Sequence, residues 1–164
     1  MHIRDASAED LPRLLEIYNH YVEHTHITFD IEPISLETRR LWLAGFRPAG
    51  PHRLFVAESE GRVAGYASSH RFRLKPAYDR SVEASIYLDP DACGAGYGSA
   101  LYSRLLETLE GESGVHRVYG GVTLPNEASI ALHRRFGFKR VGTYSEVGFK
   151  FGRYWDVAWF ERAV

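Results

Sequence analysis

Residues 81–109 read SVEASIYLDPDACGAGYGSALYSRLLETL, and the periodicity changes twice along that stretch. In SVEASIYL, β-branched and aromatic residues alternate with smaller or polar ones, which predicts a strand over 82–88. Asp89-Pro90 turns the chain out of it. Gly94, Gly96 and Gly98 then stand at every second position, and Leu101, Leu105 and Leu109, flanked by Tyr102 and Leu106, mark one apolar face of a helix. A glycine turn between a strand and a helix leaves backbone N–H groups free at the positive end of the helix, where phosphate is the usual occupant. The alternative is a tight strand-to-helix turn without a ligand, at the entropic cost that glycine carries.

Two phosphate ligands are excluded by the details of the turn. The nucleoside-triphosphate loop ends in Gly-Lys-Ser/Thr, and GYGSAL supplies no lysine. The dinucleotide fingerprint is G-x-G-x-x-G, whereas this turn is one residue shorter and lacks an acidic residue at the end of the next strand.

Working outward, HIRD (2–5) alternates like a short strand, and Ser7 with Asp10 resembles a capping box. Leu11, Leu14, Leu15 and Tyr18 then predict the apolar face of a first helix. Ser35 caps a second through LETRRLWLAGF, stopped by Pro48. RLFVAESEGRVAGYASSH reads as a hairpin turning at Glu60-Gly61, and the charged loop RFRLKPAYDR leads into the strand at 82–88. HRVYGGVT is a further strand, and PNEASIALHRRFGF is a helix with Asn126 as N-cap and Gly137 as its stop. The tail KRVGTYSEVGFKFGRYWDVAWFERAV closes the chain with two strands. The order β-α-α-β-β-β-α-β-α-β-β predicts an α+β fold. Residues 82–123 form a parallel strand-helix-strand unit inside an otherwise hairpin-built, mixed sheet.

Composition sets the remaining bounds. A chain of 164 residues with 45% hydrophobic content is expected to fold as one domain, 1–164. A net charge of −1 gives no basic stripe for nucleic acid. The single cysteine, Cys93, excludes an internal disulfide and suits a reducing cytoplasm. MHIRDASAED carries charges where a signal peptide needs an apolar run, and no stretch is apolar enough to span a membrane. His20, His24 and His26 cluster in sequence without a cysteine or spaced carboxylates, so no metal site is expected.

The segment IYLDPDACGAGYGSALYSRLLETL resembles the acetyl-CoA motif of the GNAT N-acetyltransferases, whose loop reads Gln/Arg-x-x-Gly-x-Gly/Ala; Cys93 stands here in the Gln/Arg place. IYNHYVEHTHITFD, KPAYDRSVEASIYL, LPNEASIALHRRFGF and VGFKFGRYWDV, in that order, extend the likeness over almost the whole chain. They are similar to the branch that acetylates phosphinothricin and methionine sulfone or sulfoximine. The resemblance implies a mixed sheet flanked by helices, with acetyl-CoA between two splayed parallel strands. Its pyrophosphate would meet the loop and helix start, Cys93, Gly94, Ala95, Gly96, Tyr97, Gly98 and Ser99. Its pantetheine arm would run beside Ile86, Tyr87 and Leu88, with Asn126 and Ser129 on the far side. A homodimer is implied too. The aromatic-rich tail, with Phe149, Phe151, Tyr154, Trp155 and Trp159, is available either for that interface or for the core.

Acetyl transfer to an amine needs a base for the ammonium proton, a held thioester and a donor for the oxyanion. Glu83 shares a strand face with Ser85 and Tyr87, opposite Val82, Ala84, Ile86 and Leu88. A carboxylate on a central strand has either a task or an ion-pair partner. The resemblance puts the catalytic glutamate at Glu83 and a catalytic histidine at His133, the latter bordering the buried face of its helix; a histidine there is otherwise a satisfied core residue. It puts substrate readers at Phe29, Arg73, Lys75 and Tyr78, and the oxyanion donor at a backbone N–H of Tyr87 or Leu88. A guanidinium grips a carboxylate or phosphinate with two parallel bonds; a solvated basic loop is the alternative. The expected reaction is N-acetylation of the α-amine of a small amino-acid analogue. The competing readings are a protein N-terminus or polyamine as acceptor, or a non-catalytic acyl-CoA-binding module.

Overall fold

The computed structural model describes all of residues 1–164. Its elements are β1 (His2–Asp5), α1 (Leu11–His24), α2 (Leu36–Leu43), β2 (Leu54–Ser59), β3 (Arg62–Arg71), β4 (Ser81–Leu88), α3 (Tyr97–Glu110), β5 (Arg117–Thr123), α4 (Glu127–Arg135), β6 (Lys139–Lys150) and β7 (Arg153–Ala163), in the order expected. Single 3-10 turns at Ala8–Asp10, Pro76–Tyr78 and Pro90–Ala92 join some of them. The seven strands form one sheet in the order β1-β2-β3-β4-β5-β7-β6. Only β4 and β5 run parallel, with α3 as their crossover; every other neighbouring pair is antiparallel.

The β4–β5 ladder is short. Ser81, Val82 and Glu83 pair with Arg117, Val118 and Tyr119, and beyond them the two strands part. β4 remains zipped to β3 along its length, from Val82↔Arg71 to Leu88↔Gly65. β5 is likewise zipped to β7 through Thr123↔Val157. The mixed sheet therefore opens in its middle, between strands held rigidly on their outer sides.

Each face of the sheet has its own core. Leu101, Tyr102, Leu105, Leu106 and Leu109 of α3 are buried against Phe55, Ala57, Ala67, Val82, Ala84 and Val118. Burying each such leucine contributes roughly 1.5–3 kcal/mol. On the other face Leu14 and Ile17 of α1 pack on Leu54, Val56, Val63 and Tyr66. The alternation of β4 is as expected: Val82 and Ala84 enter the α3 core with Ile86 and Leu88 against it, and Tyr87 packs with the α1 side.

Three expectations are adjusted. The buried face of α1 is Leu11, Leu14, Ile17 and Val22, while Leu15 and Tyr18 are half-buried at its margin. Asp10 is buried by a fork of Arg4 (2.8 Å to each oxygen) and accepts the Ser7 N–H, so the capping-box residues brace a 3-10 turn ahead of α1. α2 is capped by Ser35, whose Oγ accepts the Thr38 N–H at 3.1 Å, but it ends at Leu43, well before Pro48. Glu60 and Gly61 turn the β2–β3 hairpin with positive φ at both positions, the geometry that suits strand twist. No helix is long and apolar enough to cross a membrane.

Candidate active site

The gap between β4 and β5 is a cleft of about 460 Å³. β4 and the glycine turn form one wall, Gly121, Val122 and Thr123 of β5 the other, and α4 closes it with Asn126, Ser129, Leu132, His133 and Arg135. Ile86, Tyr87, Leu88, Cys93, Gly94, Gly96, Gly98, Ser99, Asn126 and Ser129 all line it. Ala95 and Tyr97 do not: Ala95 points to solvent, and Tyr97 packs against the α3 core.

Gly94 and Gly96 have φ of +83° and +87°, values that an L side chain adopts only under strain. An added Cβ would meet nothing within 4 Å at either position, so backbone curvature, and not crowding, selects these glycines. The result is a run of amides, from Gly94 to Ser99, without a backbone acceptor; the first helical bond beyond them runs from the Ala100 N–H to the Gly96 carbonyl at 3.1 Å. Such amides at a helix N-terminus fit a pyrophosphate. Arg135, which the sequence did not single out, donates to Ser99 Oγ at 3.2 Å and brings a positive charge to the same place.

The cut edge of β4 fits an added strand. The Asp89 N–H bonds the Ala64 carbonyl at 2.8 Å, so by ladder alternation Tyr87 is hydrogen-bonded to β3 and Leu88 faces away from it. Leu88 C=O indeed accepts Tyr21 Oη across the cleft at 2.8 Å. Ile86 and Leu88, with the carbonyl of Ala84, thus turn their peptide groups to the gap. Of the two expected oxyanion donors, Leu88 N–H points there, and Tyr87 N–H does not.

His133 lies deeper than its sequence position suggests. It is 3% exposed and walled by Tyr102, Phe138 and Phe160. Its Nδ1–H donates to the Ser129 carbonyl at 2.8 Å, and its Nε2 accepts Tyr102 Oη at 3.1 Å. Burial holds its pKa below the ordinary histidine value, against the pull of the Ser129 bond. With both ring nitrogens occupied it is a neutral, satisfied core histidine whose edge reaches the cleft. Asn126 also has a local task, accepting the Ser129 N–H at 3.1 Å as the α4 N-cap.

Glu83 stands where β4 and β5 begin to part, directly opposite His70 of β3. Burial pushes its carboxyl above the usual range, and the Arg73 charge partly offsets that. Arg73 is therefore close enough to act on Glu83, and its guanidinium lies over the rings of Phe72 (4.0 Å) and Trp159 (5.4 Å). Tyr78 meets Phe72 edge-on, whereas Lys75 is exposed. Phe29 has its ring pressed on Gly148 of β6, where an added Cβ would come within 2.2 Å of it. No motif signals how its loop is fastened. Lys150 Nζ, buried, donates to the Thr28 carbonyl at 2.8 Å, and His26 stacks on Trp155 at 4.2 Å.

A sheet split beside a glycine turn, with free amides on one side and a half-buried carboxylate on the other, is the architecture of an acyl-CoA-dependent acyltransferase. A family model for the GNAT acetyltransferase domain matches residues 3–159, and the chain belongs to that family. It is 53% identical, over its whole length and 96% of the relative's, to a phosphinothricin N-acetyltransferase of Streptomyces coelicolor. It is 36% identical to an L-methionine sulfoximine/L-methionine sulfone acetyltransferase of Pseudomonas paraeruginosa, covering 97% of this chain and 92% of the other. Among solved structures, a GNAT superfamily phosphinothricin acetyltransferase from Sinorhizobium meliloti, in complex with acetyl-CoA, superimposes with a TM-score of 0.94 at 35% identity, over 99% of this chain and 88% of that one.

Gly120 of β5 makes room for His133: an added Cβ would lie 2.4 Å from Nε2. Gly120→Ala should therefore lower stability by about 1–3 kcal/mol, the usual cost of overpacking, read as a drop in the urea midpoint. An unchanged midpoint would mean that the imidazole is not seated against β5.

Proposed function

We propose that this chain transfers the acetyl group of acetyl-CoA to the α-amine of a small amino-acid analogue carrying an acidic or strongly polar side chain: phosphinothricin, methionine sulfone or methionine sulfoximine. The observation that carries the reading is the full-length, 53% identity to the Streptomyces coelicolor enzyme. The open β4 edge and the free amides at 94–99 support it.

When bound, acetyl-CoA supplies a thioester-activated acetyl group whose C–S bond breaks as the new amide forms. The amides of 94–99 and Arg135 hold its phosphates, and the edge of Ala84, Ile86 and Leu88 aligns its arm by strand addition. Leu88 N–H donates to the developing oxyanion. Glu83 takes the ammonium proton through a water, and its raised pKa suits a base working nearer neutrality. Arg73 and Tyr78 bind an acidic group of the acceptor, with Lys75 adding charge and Phe29 an apolar wall. His133 positions α4 against β5. A polyamine fits poorly beside Arg73 and Lys75, since like charges repel. Thiol release, measured over a panel of these three analogues, a peptide N-terminus and a polyamine, ranks the acceptors. The chain is expected in the cytoplasm, where its free Cys93 remains reduced.

Gly96→Val would force a β-branched residue to φ +87° and pull the amides out of line. Acetyl-CoA affinity by calorimetry should collapse while the far-ultraviolet circular dichroism stays native. Retained affinity would remove the turn from the cofactor site.

Glu83→Gln should lower the rate about 10²–10⁴-fold, with partial recovery as rising pH deprotonates the amine. In the parent enzyme the acid limb of kcat/KM should lie above the ordinary carboxylate value. Arg73→Ala, by removing the offsetting charge, should move that limb higher still. A downward shift would rule out Glu83 as the group being read.

The fold also leaves Val141, Tyr144, Val147, Phe149, Phe151 and Tyr154 more than half exposed on the β6–β7 hairpin, whereas Trp155 and Trp159 are engaged within the chain. This apolar strip supports pairing with a second copy. Phe149→Asp with Tyr154→Asp should halve the mass seen by sedimentation velocity, and an unaltered mass would place the contact elsewhere.

A further inference from the structure

On the α1–α2 face of the sheet, beside Glu83, lies a second cavity of about 300 Å³. Three polar groups in its lining are buried with no hydrogen-bond partner: Arg39 at both Nε and Nη2, the Tyr66 hydroxyl and His70 Nδ1. Arg39 is 3% exposed and takes part in none of the ion pairs. Its neighbour Arg40, by contrast, faces solvent and lies 3.7 Å from Glu37. Asp30, the one carboxylate in the lining, is held by Tyr18 Oη at 2.6 Å.

A buried guanidinium with orphaned donors is costly unless something meets it. Aromatic rings surround it. Arg39 stacks on Trp42 at 3.5 Å and is flanked by Tyr18 and Tyr66, each at 5.0 Å. The Tyr66 hydroxyl lies close enough to feel the guanidinium, but no carboxylate meets its N–H edge, the part that forks a carboxylate or phosphinate.

The floor of the cavity leads to the proposed base. Tyr66↔Tyr87, Ser68↔Ser85 and His70↔Glu83 are directly opposed pairs of β3 and β4, so all six side chains rise from one face. Glu83 is one side-chain repeat, roughly 7 Å, beyond Ser85. That is about the length of a small amino acid laid along the strand.

We propose that this cavity is an oxyanion subsite, read by Arg39, for the acidic group at the far end of the acceptor's side chain. Arg73 and Lys75 are left to take the α-carboxylate. The inference rests on the acceptor reading above and divides its two acidic groups between an open reader and a buried one.

The test compares phosphinothricin, whose side chain ends in a phosphinate, with methionine sulfone, whose side chain is uncharged. Arg39→Met should lower the ratio of kcat/KM for phosphinothricin over methionine sulfone by roughly 10–100-fold, the worth of a charge-assisted pair, and leave the KM for acetyl-CoA unchanged. Arg39→Lys should restore part of that loss, and Arg73→Ala should weaken both acceptors alike. Equal losses for both acceptors in Arg39→Met would overturn the proposal, because they would make Arg39 a structural stack. Should the variants fail to fold, the ¹⁵N-labelled parent protein carries the test. Titrated phosphinothricin must shift the Arg39 Nε–H resonance, and an unmoved signal rejects the subsite. A shift without any acetylation would retain the subsite and dismiss the acceptor reading.

Discussion

β4 and β5 share a ladder of only three residue pairs, and the geometry of the rest of the molecule follows from where that ladder stops. A parallel pair continued to Leu88 and Thr123 would consume the carbonyl of Ala84 and the peptide groups of Ile86 and Leu88 and fill the cleft. The strands can part because each is secured on its other side, β4 by β3 and β5 by β7. Beneath the gap, the α3 leucines form one continuous core across β2, β3, β4 and β5. The opening is therefore a fixed feature of a rigid sheet. The proposed ligand completes it by supplying the hydrogen bonds that the absent strand contacts would have made.

Much of this was legible because it is periodic. The two-residue alternation of SVEASIYL, the leucine stripe of α3 and the Glu60-Gly61 turn each correspond to one local geometry, and each is found where expected. The parallel unit followed from chain order. The ends of helices were less legible: α2 stops at Leu43, with Ala44 as its C-cap and Gly45 next in the chain, ahead of the proline that the sequence offers as a stop.

The site divides along the same line. Residues within the glycine turn and β4 were found from sequence, since a contiguous motif places them. Arg135, Tyr21 and Thr123 were not, because they reach the cleft from three separate elements. His133 was placed at a helix margin by its spacing. Its burial depends on Gly120, thirteen residues earlier on another strand, which no periodicity connects to it. Arg39 was hidden for a different reason: in LETRRLWL it looks like one of two solvated arginines, and only the fold separates the buried one from its exposed neighbour.

β4 serves two chemistries through two independent directions. Its edge, made of backbone, faces the cofactor cleft, whereas its upper face, made of side chains shared with β3, α1 and α2, faces the proposed acceptor. Backbone at the edge is indifferent to most substitutions, so side chains on the face are free to vary without disturbing the cofactor. A fold arranged in this way can change which amine it modifies by a few replacements on β3 and α2. The donor half of the reaction, and the registration of carbonyl against nucleophile, would be inherited intact.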